Sequence, residues 1–175
     1  MRSSIAFAAV IVTAGLFTNL PAHAHVTLDA REAPTDSYFK AVFNVPHGCE
    51  GSSTTSVRIR LPEGITSVKV QPKQGWKVTT VKTKLATPIS GGHGETITEA
   101  VSEVSWSGGP LLDEYIDEFM MQIRLPNAAP GTVLYFPVVQ ECEKGVNRWI
   151  EIPEPGAKPG SLKQPAPALR LIAKP

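Results

Sequence analysis

The run Tyr115-Ile116-Asp117-Glu118-Phe119-Met120-Met121-Gln122-Ile123-Arg124-Leu125 decides the fold class. Tyr115, Phe119, Met121, Ile123 and Leu125 fall on one side of a period of two, and Glu118, Met120, Gln122 and Arg124 on the other. Asp117 alone interrupts the apolar side. This alternation is that of a β-strand with one face buried. Working outward, the same period returns over 38–45, 56–61, 68–71, 76–84, 97–106, 132–140 and 146–152, with Gly, Pro, Asn and Asp between the segments. No segment carries a convincing helical period. Eight short strands predict an all-β sandwich. Pro62, Pro72, Pro126 and Pro153 close four of them, where a ladder ends and no amide donor is available. Ser90-Gly91-Gly92-His93-Gly94 reads as a flexible loop. Residues 153–175 read as a Pro-rich C-terminal surface tail that ends in one edge strand over 168–173. There is no internal repeat, phosphate-binding glycine loop or heptad pattern.

The first residues have the layout of a secretory signal peptide. Met1-Arg2 precedes an apolar run from Ile5 to Leu16, and Pro21-Ala22-His23-Ala24 follows. Thr13 and Gly15 interrupt the run, leaving fewer than the ~20 apolar residues of a bilayer span. Ala22 and Ala24 supply the small side chains that signal peptidase requires, so the expected cut separates residues 1–24 from a mature chain beginning at His25. A cut after Ala22 would instead leave His23 first.

The 151 residues that remain suffice for one domain with a substantial core, which the sequence predicts over 25–173. Loss of Arg2 leaves 16 basic residues against 16 acidic ones, and no long basic run speaks for nucleic acid. Cys49 and Cys142 both lie in the exported part, where an oxidising compartment favours a disulfide between them. Closing a loop of about 90 residues would stabilise the fold by roughly 4–5 kcal/mol on chain entropy. Copper binding by the two thiolates is the alternative, but no CxxC spacing supports it.

Chemistry concentrates at His25. A terminal histidine offers a free α-amine and an imidazole Nδ1 that close one compact chelate ring on a metal. An internal residue has an amide there, whereas a terminal amine, with a pKa near ~8, gives up its proton readily. Two nitrogens with oxygen donors suit tetragonal Cu(II), the first in the divalent affinity order, ahead of zinc and nickel. The plain alternative is that a histidine merely happens to follow a good cleavage site.

The chain resembles the YcnI-like family of exported copper-binding proteins from His25 to about Ile152. The likeness rests on His25-Val26-Thr27, Val45-Pro46-His47-Gly48-Cys49, Leu61-Pro62-Glu63-Gly64 and Trp106-Ser107-Gly108-Gly109. In the second half, Asp117-Glu118-Phe119, Leu125-Pro126, Tyr135-Phe136-Pro137-Val138-Val139-Gln140 and Arg148-Trp149 follow in the family's order. The resemblance implies an immunoglobulin-like β-sandwich and one Cu(II) held by a single N-terminal histidine, completed by a glutamate and flanked by a tryptophan. Carried onto this sequence, His25 is the terminal ligand, Glu118 the carboxylate and Trp149 the adjacent indole. Glu114 is the rival carboxylate. Trp149 has core packing as its plain alternative; as an indole it would shield the ion rather than ligate it.

Other sulfur and imidazole groups are weaker candidates. Met120 and Met121 face opposite ways in a strand, so only Met120 could join Glu118. His47 precedes Cys49 in a turn that nothing in the sequence places beside His25, and His93 reads as a solvated loop residue. Thr27 occupies the third position that the square-planar amino-terminal copper motif gives to histidine.

The reading that follows is an exported protein for copper buffering or trafficking, placed in the periplasm or secreted, with a further copper chaperone as possible partner. Many relatives carry a hydrophobic C-terminal anchor; this chain ends Ala173-Lys174-Pro175 and is expected to be soluble. One alternative is a copper-dependent oxidative enzyme. Histidine-brace enzymes such as lytic polysaccharide monooxygenases add a second histidine, a post His47 or His93 would have to fill, and Trp76, Trp106 and Trp149 make no flat substrate platform. A metal-free adhesion or scaffold sandwich is the other.

Overall fold

The computed structural model describes residues 25–90, 94–157 and 160–175. The proposed signal segment and His93 lie outside the described residues. Twelve strands run through the described chain: β1 Thr27–Leu28, β2 Glu32–Pro34, β3 Tyr38–Val45, β4 Thr54–Arg60, β5 Val68–Val70 and β6 Trp76–Ser90, then β7 Thr96–Leu111, β8 Asp117–Arg124, β9 Val133–Tyr135, β10 Val138–Cys142, β11 Val146–Trp149 and β12 Ala168–Ile172. No helix occurs among the described residues.

Period-two patterning assembles these strands into two facing sheets. One has the order β1-β3-β8-β5 and the other β11-β10-β4-β7-β6. Ala41, Phe43 and Val45 of β3 and Phe119, Met121 and Ile123 of β8 turn inward and are fully buried. They meet Val57 and Ile59 of β4, Val104 and Trp106 of β7 and Val138 of β10, which are equally buried. Aromatic edges join the layers: Trp106 and Trp76 stand 5.5 and 5.0 Å from Phe119, and Phe43 lies 5.7 Å from Phe136. Such edge-to-face pairs add about 0.5–1.5 kcal/mol each beyond their buried area. The expected alternation in β8 is present, with Glu118 and Gln122 exposed between the buried positions.

Most strand boundaries shift by a few residues from the sequence reading, β11 for one ending at Trp149 rather than at 152, and three of the differences have a local reason. The strand at 115–125 starts only at Asp117, because Tyr115 closes a turn in which its N–H donates to the Leu112 carbonyl at 3.1 Å, leaving Tyr115 and Ile116 exposed outside the ladder. The segment 132–140 is two strands. Pro137 offers no amide, and the chain changes sheets there, from β9 in a small third sheet to β10 in the sandwich. The β6–β7 hairpin is longer than its apolar pattern, its distal residues forming an exposed two-stranded ribbon.

The C-terminal segment requires a larger correction. Its strand is not a surface edge: β12 is the centre of the third sheet, parallel to β2 and antiparallel to β9, with Leu169 and Leu171 fully buried. The prolines that read as an extended tail bring the chain back along β11, where Glu151 exchanges backbone hydrogen bonds with Gln164 and Ala166 at 3.0 and 2.9 Å. A charged clamp fixes the end. Asp36 takes Arg124 at 2.5 Å on one carboxylate oxygen and Lys174 at 2.8 Å on the other. Together these donors, Lys174 first, hold its carboxyl below the usual carboxylate value.

Candidate metal site at the start of the domain

β1 and β11 are the edge strands on the same side of the two facing sheets. His25 lies two residues before the start of β1, and the buried Val26 and Leu28 anchor it there by inserting into the core. The His25 ring is half-buried and lies 5.2 Å from the indole of Trp149, the last residue of β11, at an interplanar angle of 55°. It forms part of a groove with His47, Glu50, Asp113, Asn147, Trp149, Lys163 and Gln164.

Two loops and one strand carry most of these side chains. The β3–β4 loop holds His47 and Glu50, the β7–β8 loop holds Asp113, and β11 carries Asn147 and Trp149. The first is tightly built. Cys49 and Ser52 exchange backbone hydrogen bonds at 2.9 Å around Glu50 and Gly51, whose φ values of 50° and 82° make a primed two-residue turn. Cys49 is bonded to Cys142 at the end of β10, the expected disulfide, with Cα atoms 5.9 Å apart. The Gly48 N–H donates to Asp113 Oδ1 at 2.9 Å, which joins the first loop to the second. Only glycine fits at 48: a Cβ would stand 1.9 Å from the Ser52 carbonyl oxygen and 3.0 Å from Asp113 Oδ1.

Gln140, fully buried on β10, organises this wall. Its Nε2 donates to the His47 carbonyl at 2.6 Å and to Thr54 Oγ1 at 2.8 Å. Its Oε1 accepts Trp149 Nε1–H at 3.1 Å and the Asn147 amide at 3.5 Å. Buried polar groups that are fully satisfied in this way specify one arrangement. A single amide therefore sets both the indole against His25 and the backbone of His47.

Of the residues singled out in the sequence, His25 and Trp149 are brought together, and Trp149 is at once a core residue and the neighbour of the histidine. Glu118 lies elsewhere. Thr27 pairs with Asn44 and Asn44 with Glu118, so two strand spacings, about 10 Å, separate β1 from the glutamate. It lines a second groove with Lys40, Lys73, Asp117 and Met120. Glu114 is exposed and does not line the His25 groove. The carboxylates that line the groove shared with Trp149 are Asp113 and Glu50, while Asp29 and Glu32 share a second groove with His25, beside Arg31. Asp113, one residue before the rival the sequence offered, carries no signature in the sequence: its place follows from a turn and from the approach of Gly48.

Among the described residues, no three His, Cys, Asp or Glu side chains form a metal cage by themselves. A metal here would need a donor that is not a side chain. The α-amine that cleavage before His25 would release is such a donor, and with Nδ1 and a carboxylate it gives an N2O set suited to Cu(II).

The family known as a domain of unknown function (DUF1775) matches residues 25–171. The chain belongs to the DUF1775 family. The match thus opens on His25 and runs into β12. A solved structure from Nocardia farcinica, described as an uncharacterized protein with an immunoglobulin-like fold, is similar at 27% identity and a TM-score of 0.63, covering 85% of this chain and 98% of that one. No curated protein matches the chain in sequence. The fold is therefore immunoglobulin-like, with one disulfide. A DUF1775 domain that starts at His25, after a segment of signal-peptide composition, and closes a disulfide is consistent with an exported protein. No helix among the described residues is long and apolar enough to cross a membrane.

Proposed function

We propose that this DUF1775 protein is an exported copper-binding protein of YcnI-like type, which holds one Cu(II) at His25 once that residue is the N-terminus. The observation that carries the reading is the setting of His25: the first residue of the domain, anchored by Val26 and Leu28, its ring against Trp149 in a groove that Asp113 lines. The amine and Nδ1 of His25 would chelate the ion, and Asp113 would supply the oxygen donor. Trp149 would limit water on one side. Its Nε1–H is already committed to Gln140, so the indole presents its ring and not a hydrogen bond. Buffering or handing on copper outside the cytoplasm suits a site of this kind, at the mouth of a rigid sandwich.

The test is electron paramagnetic resonance of one equivalent of Cu(II) on the chain that begins at His25, beside the same chain with Met in front. One axial species that disappears in the extended protein, with the fold intact by circular dichroism, supports the terminal site. Loose copper indifferent to the terminus refutes it.

A further inference from the structure

We propose that Lys163 makes the His25 groove a site for a small carboxylate, which binds as an external ligand of the ion held there. The inference rests on the copper reading above and names what fills the part of the coordination sphere that the chain leaves open.

The first observation is what the chain does not supply. Among the described residues no three His, Cys, Asp or Glu side chains group so as to hold an ion. The amine and Nδ1 of His25 with one carboxylate therefore leave at least one equatorial place of a tetragonal Cu(II) unfilled. Its ligand comes from solution, as water or as an anion.

Lys163 decides between them. It lines the same groove as His25, Asp113 and Glu50, and among the described residues its ammonium is in no ion pair. Its place is set by the next residue. The Gln164 N–H donates to Glu151 Oε2 at 2.7 Å, its carbonyl accepts from the Glu151 N–H at 3.0 Å, and its Oε1 accepts from the Arg148 N–H at 3.2 Å. Arg148 and Glu151 stand on either side of Trp149 in the chain, so the stem of Lys163 rises from backbone fixed beside the indole.

Charge then sets the order of binding. Without the ion, Asp113 and Glu50 outweigh Lys163 by one formal charge, and the groove disfavours anions. A divalent cation reverses that sign, leaving one positive charge for an anion to neutralise. A carboxylate fits both partners at once: one oxygen suits the metal and the other accepts a charge-assisted hydrogen bond from the ammonium. Water supplies only the first of these.

Acetate with an isotope-labelled carboxyl carbon is the probe, added at low ionic strength to the chain that begins at His25 and carries one equivalent of Cu(II). Pulsed electron paramagnetic resonance is expected to show coupling to the labelled carbon that saturates with acetate. Lys163→Gln should weaken acetate about two- to fivefold, the worth of one exposed charge pair, and Lys163→Arg should stay close to the wild type. In acetate-free buffer Lys163→Gln should instead raise Cu(II) affinity by a similar factor, since a like charge is gone. General damage to the groove would lower both. No carbon coupling in a chain that shows the terminal axial species overturns the proposal and leaves the copper reading standing, as does equal acetate affinity in wild type and Lys163→Gln. Chloride binding as tightly as acetate also overturns it, because charge alone would then explain the site. An axial species that is absent, or indifferent to Met before His25, removes both readings.

Discussion

Gln140 and Trp149 are diagonal neighbours across the β10–β11 pair, and the indole N–H of one ends on the amide oxygen of the other at 3.1 Å. Both side chains turn inward at the edge of the sandwich, so the contact fixes the indole against His25. Gln140→Leu keeps approximate volume but removes every polar partner. Trp149 Nε1–H and the His47 carbonyl are then left without the bond that satisfies them. Orphaned groups of this kind cost about 1–3 kcal/mol each, so a loss of about 3 kcal/mol is expected. For a domain of this size that is roughly 6–12 °C in Tm. Thermal and urea denaturation check it, and an unchanged midpoint would mean that the network is incidental.

Gly48 and Gly51 lie in one turn but make opposite predictions about space. A Cβ at 48 meets the Ser52 carbonyl oxygen at 1.9 Å, whereas a Cβ at 51 meets nothing within 4 Å. Gly51→Ala pays only for its positive φ of 82°, about 1–2 kcal/mol. Gly48→Ala must displace backbone and disturb the N–H that binds Asp113, so its cost is about 3 kcal/mol. Parallel melts should rank Gly48→Ala well below Gly51→Ala. The reverse order would show that the Cys49–Ser52 turn yields more easily than its hydrogen bonds imply.

The Asp36 clamp predicts a pH window. Lys174, then Arg124, hold its carboxyl below the ordinary value, so the folded state binds its proton less readily than the unfolded chain. The clamp's contribution is complete above the unfolded value of about 3.9 and is lost as pH falls through the lower folded value. Asn tolerates the left-handed backbone at residue 36, where φ is 49°, so Asp36→Asn removes the charge without straining the chain. Melting curves from pH 7 downward should show the variant slightly less stable at neutral pH and equal to the wild type at the acid end. A gap that persists through the acid window would locate the effect elsewhere.

How much of this was legible in the sequence follows from the range of the interactions involved. The inward face of β8 and the pairing of Cys49 with Cys142 were readable, because alternation and compartment act on single residues or single pairs. The central place of β12 was hidden by the prolines before it: local composition marks 153–167 as extended, but only the packing of Leu169 and Leu171 decides where the chain goes next. Trp149 was placed beside His25 by resemblance, and the geometry agrees. Which carboxylates line the His25–Trp149 groove was not legible. Glu118 has the right chemistry in a strand two spacings away, whereas Asp113 reaches the groove through a turn and a glycine 65 residues distant. The position of His47 in that groove was hidden for the same reason, since it depends on Gln140, 93 residues away.

The two carboxylates therefore make the sharpest comparison. If the ion is held in the His25 groove, Asp113→Asn removes an oxygen ligand while retaining an oxygen that can accept from Gly48 N–H, so the loop should persist. Cu(II) affinity is expected to fall by tenfold or more, about 1.4 kcal/mol. Glu118→Gln alters an exposed side chain on the outer face of the sheet and should leave affinity within twofold, about 0.4 kcal/mol. Competition titration against a chelator of known affinity, on chains that begin at His25, measures both. Weakening by Glu118→Gln with Asp113→Asn silent would move the ion toward the groove of Lys40 and Lys73, where two cations oppose it and Lys73 already occupies Asp117 at 2.6 Å. The His25 groove sets one lysine, Lys163, against Asp113 and Glu50, a balance more favourable to a cation than two lysines against Asp117 and Glu118, and that is why it is the expected answer.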